Sequence, residues 1–161
     1  MRRSILIGVS ATAALVLAGT GVALAAQSSA APAAAAHHGS QFTVVEHAIT
    51  DTTVDIGPHG DSLGDILAFG NPIYDAGNHK QIGNDQGSCV RTKVGVAWEC
   101  SWTTILPGGS LTVEGPFYDS ADSVLAITGG TGTWASARGQ MTLHARDAAG
   151  SSYDFAFTVT N

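Results

Sequence analysis

From Phe42 onward, apolar and polar residues alternate in short runs broken by Gly, Pro, Asn and Asp, and no segment holds a helical period for about ten residues. The alternation predicts strands near 42–50, 64–70, 86–93, 96–105, 110–117, 122–128, 137–146 and 152–160. Short strands joined mostly by tight turns predict an all-β fold, a closed eight-stranded antiparallel β-barrel in which every edge is paired. The first strand is apolar on both faces, Phe42, Val44 and Ala48 on one and Val45 and Ile49 on the other. A barrel wet on its outside shows a more polar second face. The expectation is a homo-oligomer, dimer or trimer, that covers part of the outer wall.

The pattern before Phe42 is different. Arg2 and Arg3 precede an apolar run from Ile5 to about Ala26 that contains Ala23-Leu24-Ala25, the small-residue arrangement of a signal-peptidase site. Residues 1–26 are read as a secretory signal peptide, with an uncleaved membrane anchor as the competing reading. Residues 27–40, QSSAAPAAAAHHGS, lack the large apolar side chains that offset chain ordering and are read as a disordered linker. The barrel domain is 41–161, enough for one core and too little for two. His37 and His38 in such a linker, with no third ligand at fixed spacing, predict no metal site.

Charge narrows the partners. After the leader, five Lys and Arg face thirteen Asp and Glu, a formal charge of −8. Nucleic acid needs clustered cations on the protein, so it is excluded, and stable association with an anionic membrane is disfavoured for the same reason. Cys89 and Cys100 flank VRTKVGVAWE, whose centre carries Gly95 and suits a hairpin turn. Residues equidistant from that turn face each other, so a cross-strand disulfide is expected in an exported chain, with two free thiols as the alternative.

Two glycine motifs invite chemistry and lack its context. GGTG at Gly129–Gly132 has no GK[ST] and leads into GQMTLHAR, which alternates as a strand, so these glycines are read as a barrel corner. GDSLG at Gly60–Gly64 satisfies G-x-S-x-G, but Ser62 is followed by strand-like ILAFGN where a nucleophile elbow needs a helix. Glu46 is a lone acid on the face of Phe42, Val44 and Ala48. Turned inward it is a buried carboxylate with a raised pKa and a candidate catalytic group; turned outward it is a solvated charge. Trp98, Cys100 and Trp102 share one face of their strand, and Leu111, Val113, Gly115 and Phe117 share one face of the next. Packed core is the default for such stripes, and large aromatics at a barrel end also suit an apolar ligand.

Together SLGDILAFGNPIYD, QGSCV, LTVEGPF and DSVLAITGGTGTW, in this order, resemble the allene oxide cyclase and dirigent superfamily of small β-barrels across nearly all of 42–161. That resemblance implies an apolar cavity that restricts the conformations of a small hydrophobic lipid or aromatic substrate and steers its cyclisation or coupling, with no metal or organic cofactor. It places Glu46 as the stabiliser of developing positive charge, Asn71 as a polar anchor, and Cys89 beside the substrate; Trp98, Trp102 and Phe117 complete the expected pocket. Ala48 and Phe117 stand where the cyclases carry an asparagine and a tyrosine, so the polar shell is depleted. The dirigent acidic pocket has only Asp75 as a loose counterpart. An exported non-catalytic barrel that sequesters an apolar ligand is the alternative reading, and a barrel filled solid by side chains would indicate a structural or surface-interaction role.

Overall fold

The computed structural model describes residues 39–160; the expected leader and most of the expected linker lie outside the described residues. Ten strand segments follow in chain order: β1 Ser40–His47, β2 Thr52–Val54, β3 Ile66–Phe69, β4 Pro72–Tyr74, β5 Gln81–Lys93, β6 Ala97–Leu106, β7 Gly109–Tyr118, β8 Ser123–Gly132, β9 Arg138–Ala145 and β10 Ser152–Thr160. All pairings are antiparallel, β5 pairs with β6 and β10 returns to β1, so the sheet closes. β1 pairs with β4 while β2 pairs with β3, and β3 and β4 both lie along β5. The ten segments therefore form eight staves, two of them interrupted.

Those interruptions are where the sequence expectation departs from the fold. The first strand stops at His47 and resumes at Thr52; the second breaks at Gly70 and Asn71 and continues through Pro72–Tyr74. The third strand begins at Gln81, five residues earlier than the polar, Gly-containing QIGND suggested. Its glycine has a packing reason. Gly87 lies directly opposite Trp102, and a Cβ there would collide with the Cβ of Trp102. A bare backbone on β5 makes room for an indole projecting inward from β6.

Inward positions of every stave meet in one interior cluster that includes Val44, Leu111, Leu125, Met141, Phe155 and Phe157. One barrel end is closed by Phe42, stacked on Trp134 and on Phe157 with ring centroids 5.0 Å apart in both pairs. The GGTG glycines lie at that end, within β8, beside the register shift between Thr112 and Val113. Gly132 has a φ of 59°, the left-handed conformation that favours glycine. They shape a barrel corner, as the strand that follows them predicts.

The other end is bolted by Arg91. Its guanidinium lies 3.9 Å from the centre of the Trp98 ring, donates to both oxygens of Asp119 at 2.7 and 2.8 Å, and pairs through Nε with Asp61 at 2.6 Å. Such a planar fork over an aromatic face is the geometry that arginine supplies and lysine does not.

Candidate functional site

The two strand interruptions lie side by side, and Asn71 fills the gap between them. With only 1% of its surface exposed, it uses its whole side chain as a bracket. Its Oδ1 accepts the backbone N–H groups of Ile49 and Thr50 at 3.1 and 2.9 Å, the Ile49 N–H being shared with the His47 carbonyl at 2.9 Å. Its Nδ2 donates to Glu46 Oε1 and to Asp51 Oδ1, both at 2.7 Å. Its backbone N–H donates to Asp85 Oδ1 at 3.0 Å. Asn71 thus gathers three carboxylates from β1, the β1–β2 break and β5.

Glu46 points into the barrel, which settles the question its strand left open. It is 5% exposed and borders a narrow interior hollow of about 30 Å³. Burial pushes its carboxyl up to about 9, with the charge of Asp85 adding to the effect and the Asn71 amide opposing it. Asp85 is fully buried; burial pushes it up to about 6, against the hydrogen bonds from the Asn71 backbone and from Glu46. Asp85 Oδ2 has no donor among the ordinary hydrogen bonds. Glu46 and Asp85 are hydrogen-bonded side chain to side chain, and a neutral Glu46 can donate there where two carboxylates would repel. At neutral pH the pair therefore holds one proton and one negative charge between them, and it titrates as a unit.

Such a pair can act in two directions. Its remaining charge stabilises positive charge developing in the hollow, while Glu46 can give a proton to developing negative charge. Turned inward, Glu46 is the buried carboxyl with a raised pKa that its place on an apolar face predicts, and its charge is shared with Asp85, which the sequence did not single out. Asn71 has committed both oxygen lone pairs and both amide hydrogens to the protein, so it positions Glu46 and has no capacity left to anchor a substrate.

The expected pocket residues divide. Trp102 and Phe117 border the hollow, as does the Cys89–Cys100 disulfide, whose Cα atoms are 4.0 Å apart across the β5–β6 ladder. Cys89 accordingly presents a disulfide sulfur and no thiol. Trp98 does not reach the hollow; it lies under Arg91 and borders a separate cavity of about 320 Å³ on the side of Asp55, Asp61 and Asp65. Tyr153, directly opposite Glu46 on β10, was not singled out in the sequence. Its hydroxyl is pushed up to about 12 by burial and by the nearby Glu46. A fold-level signal did exist for Asp85: extending β5 back to Gln81 puts it on the face of Gly87, Cys89 and Arg91 by simple alternation.

Ser62 is a turn residue. Its hydroxyl lies 2.9 Å from the Ile56 carbonyl and 3.0 Å from Asp65, and β3 follows it where an esterase would have a helix. Asp65, held below the usual carboxylate range by the N–H groups of Ile56 and Ser62, organises that turn. Asp75 likewise caps a turn, accepting from the backbone of His79 at 2.9 Å, outside the hollow. Among the described residues, no group of three or more His, Cys, Asp or Glu is arranged to hold a metal ion.

The profile of the allene oxide cyclase family matches residues 47–146. This chain belongs to the allene oxide cyclase family. Solved structures place that family's barrel among several chemistries. A pyocyanin demethylase superposes with a TM-score of 0.63 at 26% identity, over 73% of this chain and all of that one. A pterocarpan synthase dirigent protein gives 0.63 at 17% identity over 83% and 96% of the two chains, and an exo-specific intermolecular Diels–Alderase gives 0.62 at 12% over 76% and 98%. The last two likenesses are of fold. The family match begins at His47, one residue after Glu46, so Glu46 rests on the geometry around Asn71.

Proposed function

We propose that this chain is an exported barrel that binds a small hydrophobic molecule and steers its cyclisation or coupling, with the Glu46–Asp85 pair as the charge and proton source and Asn71 as the residue that positions it. The observation that carries the reading is a buried carboxyl beside a narrow, largely apolar hollow, held there by a bracket built into two aligned strand breaks. An apolar wall restricts substrate shape, and a proton-sharing pair acts on charge only as it develops. The names of the structural neighbours, a demethylase, a dirigent protein and a Diels–Alderase, support a barrel that works on small organic molecules.

Export is supported by the Cys89–Cys100 disulfide, since such bonds persist in oxidising compartments. Homo-oligomerisation is supported by Val54 and Val90, exposed on either side of Ile66 in one cross-strand row of the outer wall. A monomeric mass by light scattering would reject it.

The test is native mass spectrometry of protein purified from culture supernatant, followed by incubation of the copurified molecule or its precursor with wild type and Glu46→Gln. A noncovalent adduct lost on denaturation, and a product distribution that changes in the variant, are expected. An unchanged distribution removes Glu46 from the chemistry. A second reading, a non-catalytic carrier, is favoured by one observation: the disulfide and the saturated Asn71 leave the hollow with neither a thiol nor a free amide. It predicts that the bound molecule is released unaltered.

A further inference from the structure

The hollow beside Glu46, at about 30 Å³, has room for roughly two water-sized groups and cannot contain a metabolite. A second cavity of about 390 Å³ opens at the same barrel end, between the β7–β8 and β9–β10 hairpins, and falls in the size range of small-molecule sites. The two spaces share three wall residues, Phe117, Leu143 and Tyr153. Phe117 and Tyr153 meet edge to face with ring centroids 6.0 Å apart. Tyr153 owes its place to Gly150, where a Cβ would come within 2.6 Å of the Tyr153 hydroxyl. The aromatic pair is a partition between a vestibule and the acid pair.

Charge is one-sided in this vestibule. Asp119, Asp122 and Asp147 line it, and among the described residues no Lys or Arg lines either space. Arg91 meets Asp119 from outside the vestibule, and His144, 2.7 Å from Asp122, is the one basic side chain in its wall. An acidic rim over aromatic walls repels anions and accepts neutral or cationic rings.

We propose that the vestibule is the main seat of the ligand and that it selects an uncharged or cationic aromatic molecule, one end of which passes between Phe117 and Tyr153 toward Glu46. This specifies the substrate class of the function proposed above and rests on it only for the destination of that leading end. A carboxylate-bearing lipid is disfavoured, because nothing in the vestibule compensates its charge.

The probes are N-phenyl-1-naphthylamine, which is neutral, and 8-anilinonaphthalene-1-sulfonate, the same ring system carrying a sulfonate. Fluorescence titration of the wild-type protein at low salt is expected to show the neutral probe binding at least about tenfold more tightly, and the ratio is expected to shrink as salt rises. Asp122→Lys is expected to raise affinity for the sulfonate several-fold. Ala121→Trp and Ala145→Trp, exposed positions on opposite walls, are each expected to abolish binding of the neutral probe. Equal or tighter binding of the sulfonate overturns the charge selection, and full binding of the neutral probe to both tryptophan variants overturns the vestibule as the seat. Neither result touches the titration of Glu46, so the acid-pair reading stands or falls separately.

Discussion

Replacing Glu46 by Gln removes the ionisable group and keeps the size of the side chain. In the wild type the carboxyl is raised from 4.5 to about 9 in the fold, chiefly by burial. Between those values the unfolded chain has released its proton and the folded chain has not, so the folded state binds more protons and stability falls as pH rises. Each pH unit in that window costs about 1.4 kcal/mol, so the interval from pH 5 to pH 8 removes on the order of 4 kcal/mol from the wild type through this group. The Gln variant lacks the group, and its neutral amide stands where the neutral carboxyl stood. Guanidinium unfolding of both proteins at pH 5, 6, 7 and 8, with the disulfide intact, reads the difference directly. The variant is expected to gain on the wild type steadily, by roughly 1.4 kcal/mol per unit above pH 5. Parallel stability curves for the two proteins would refute the buried neutral carboxyl.

Three further outcomes follow from particular contacts. Gly87→Ala forces a Cβ into Trp102 and is expected to cost at least about 2 kcal/mol in chemical denaturation, whereas Gly95→Ala, with nothing within 4 Å of its Cβ but a φ of 65°, is expected to cost about 1 kcal/mol. Replacing both Cys89 and Cys100 by Ser opens a short loop, and a loss of about 2–3 kcal/mol is expected from the same measurement. Arg91→Met strips Asp61 and Asp119 of their shared cation, and a lower melting temperature is expected, one that added salt raises more in the variant than in the wild type by screening the unpaired carboxylates.

Much of the fold was readable because alternation carries it: from Ala97 to Thr160 most large apolar residues fall on the inward face of their strand, with Ile105 and Val124 as outward exceptions, and the expected spans agree with β6–β10 to within a few residues. The first break, and the resumption after the second, were not readable. Ala48–Asp51 has no turn signature strong enough to interrupt a strand, and the expected strand that ends at Gly70 gives no sign of continuing as Pro72–Tyr74; Asn71 ties the two breaks together by accepting backbone N–H groups 22 and 21 residues away. For the same reason the site was half visible. Glu46 stood out as an acid in an apolar strand, but Asp85 lay in a stretch whose Gly and Asn suggested a turn, and Tyr153 looked like any inward aromatic. What joins Glu46, Asp85 and Asp51 is a single side chain placed by tertiary structure, and local patterns do not report that.

The account turns on Glu46 holding its proton at neutral pH. The chain has only three glutamates, Glu46, Glu99 and Glu114, so each carboxyl carbon can be followed separately by NMR in protein labelled with carbon-13 at glutamate, with Glu46→Gln assigning the signal. A Glu46 resonance that stays in its protonated position through pH 7 and moves with a midpoint near 9 is the predicted result. A midpoint below 5 would contradict it.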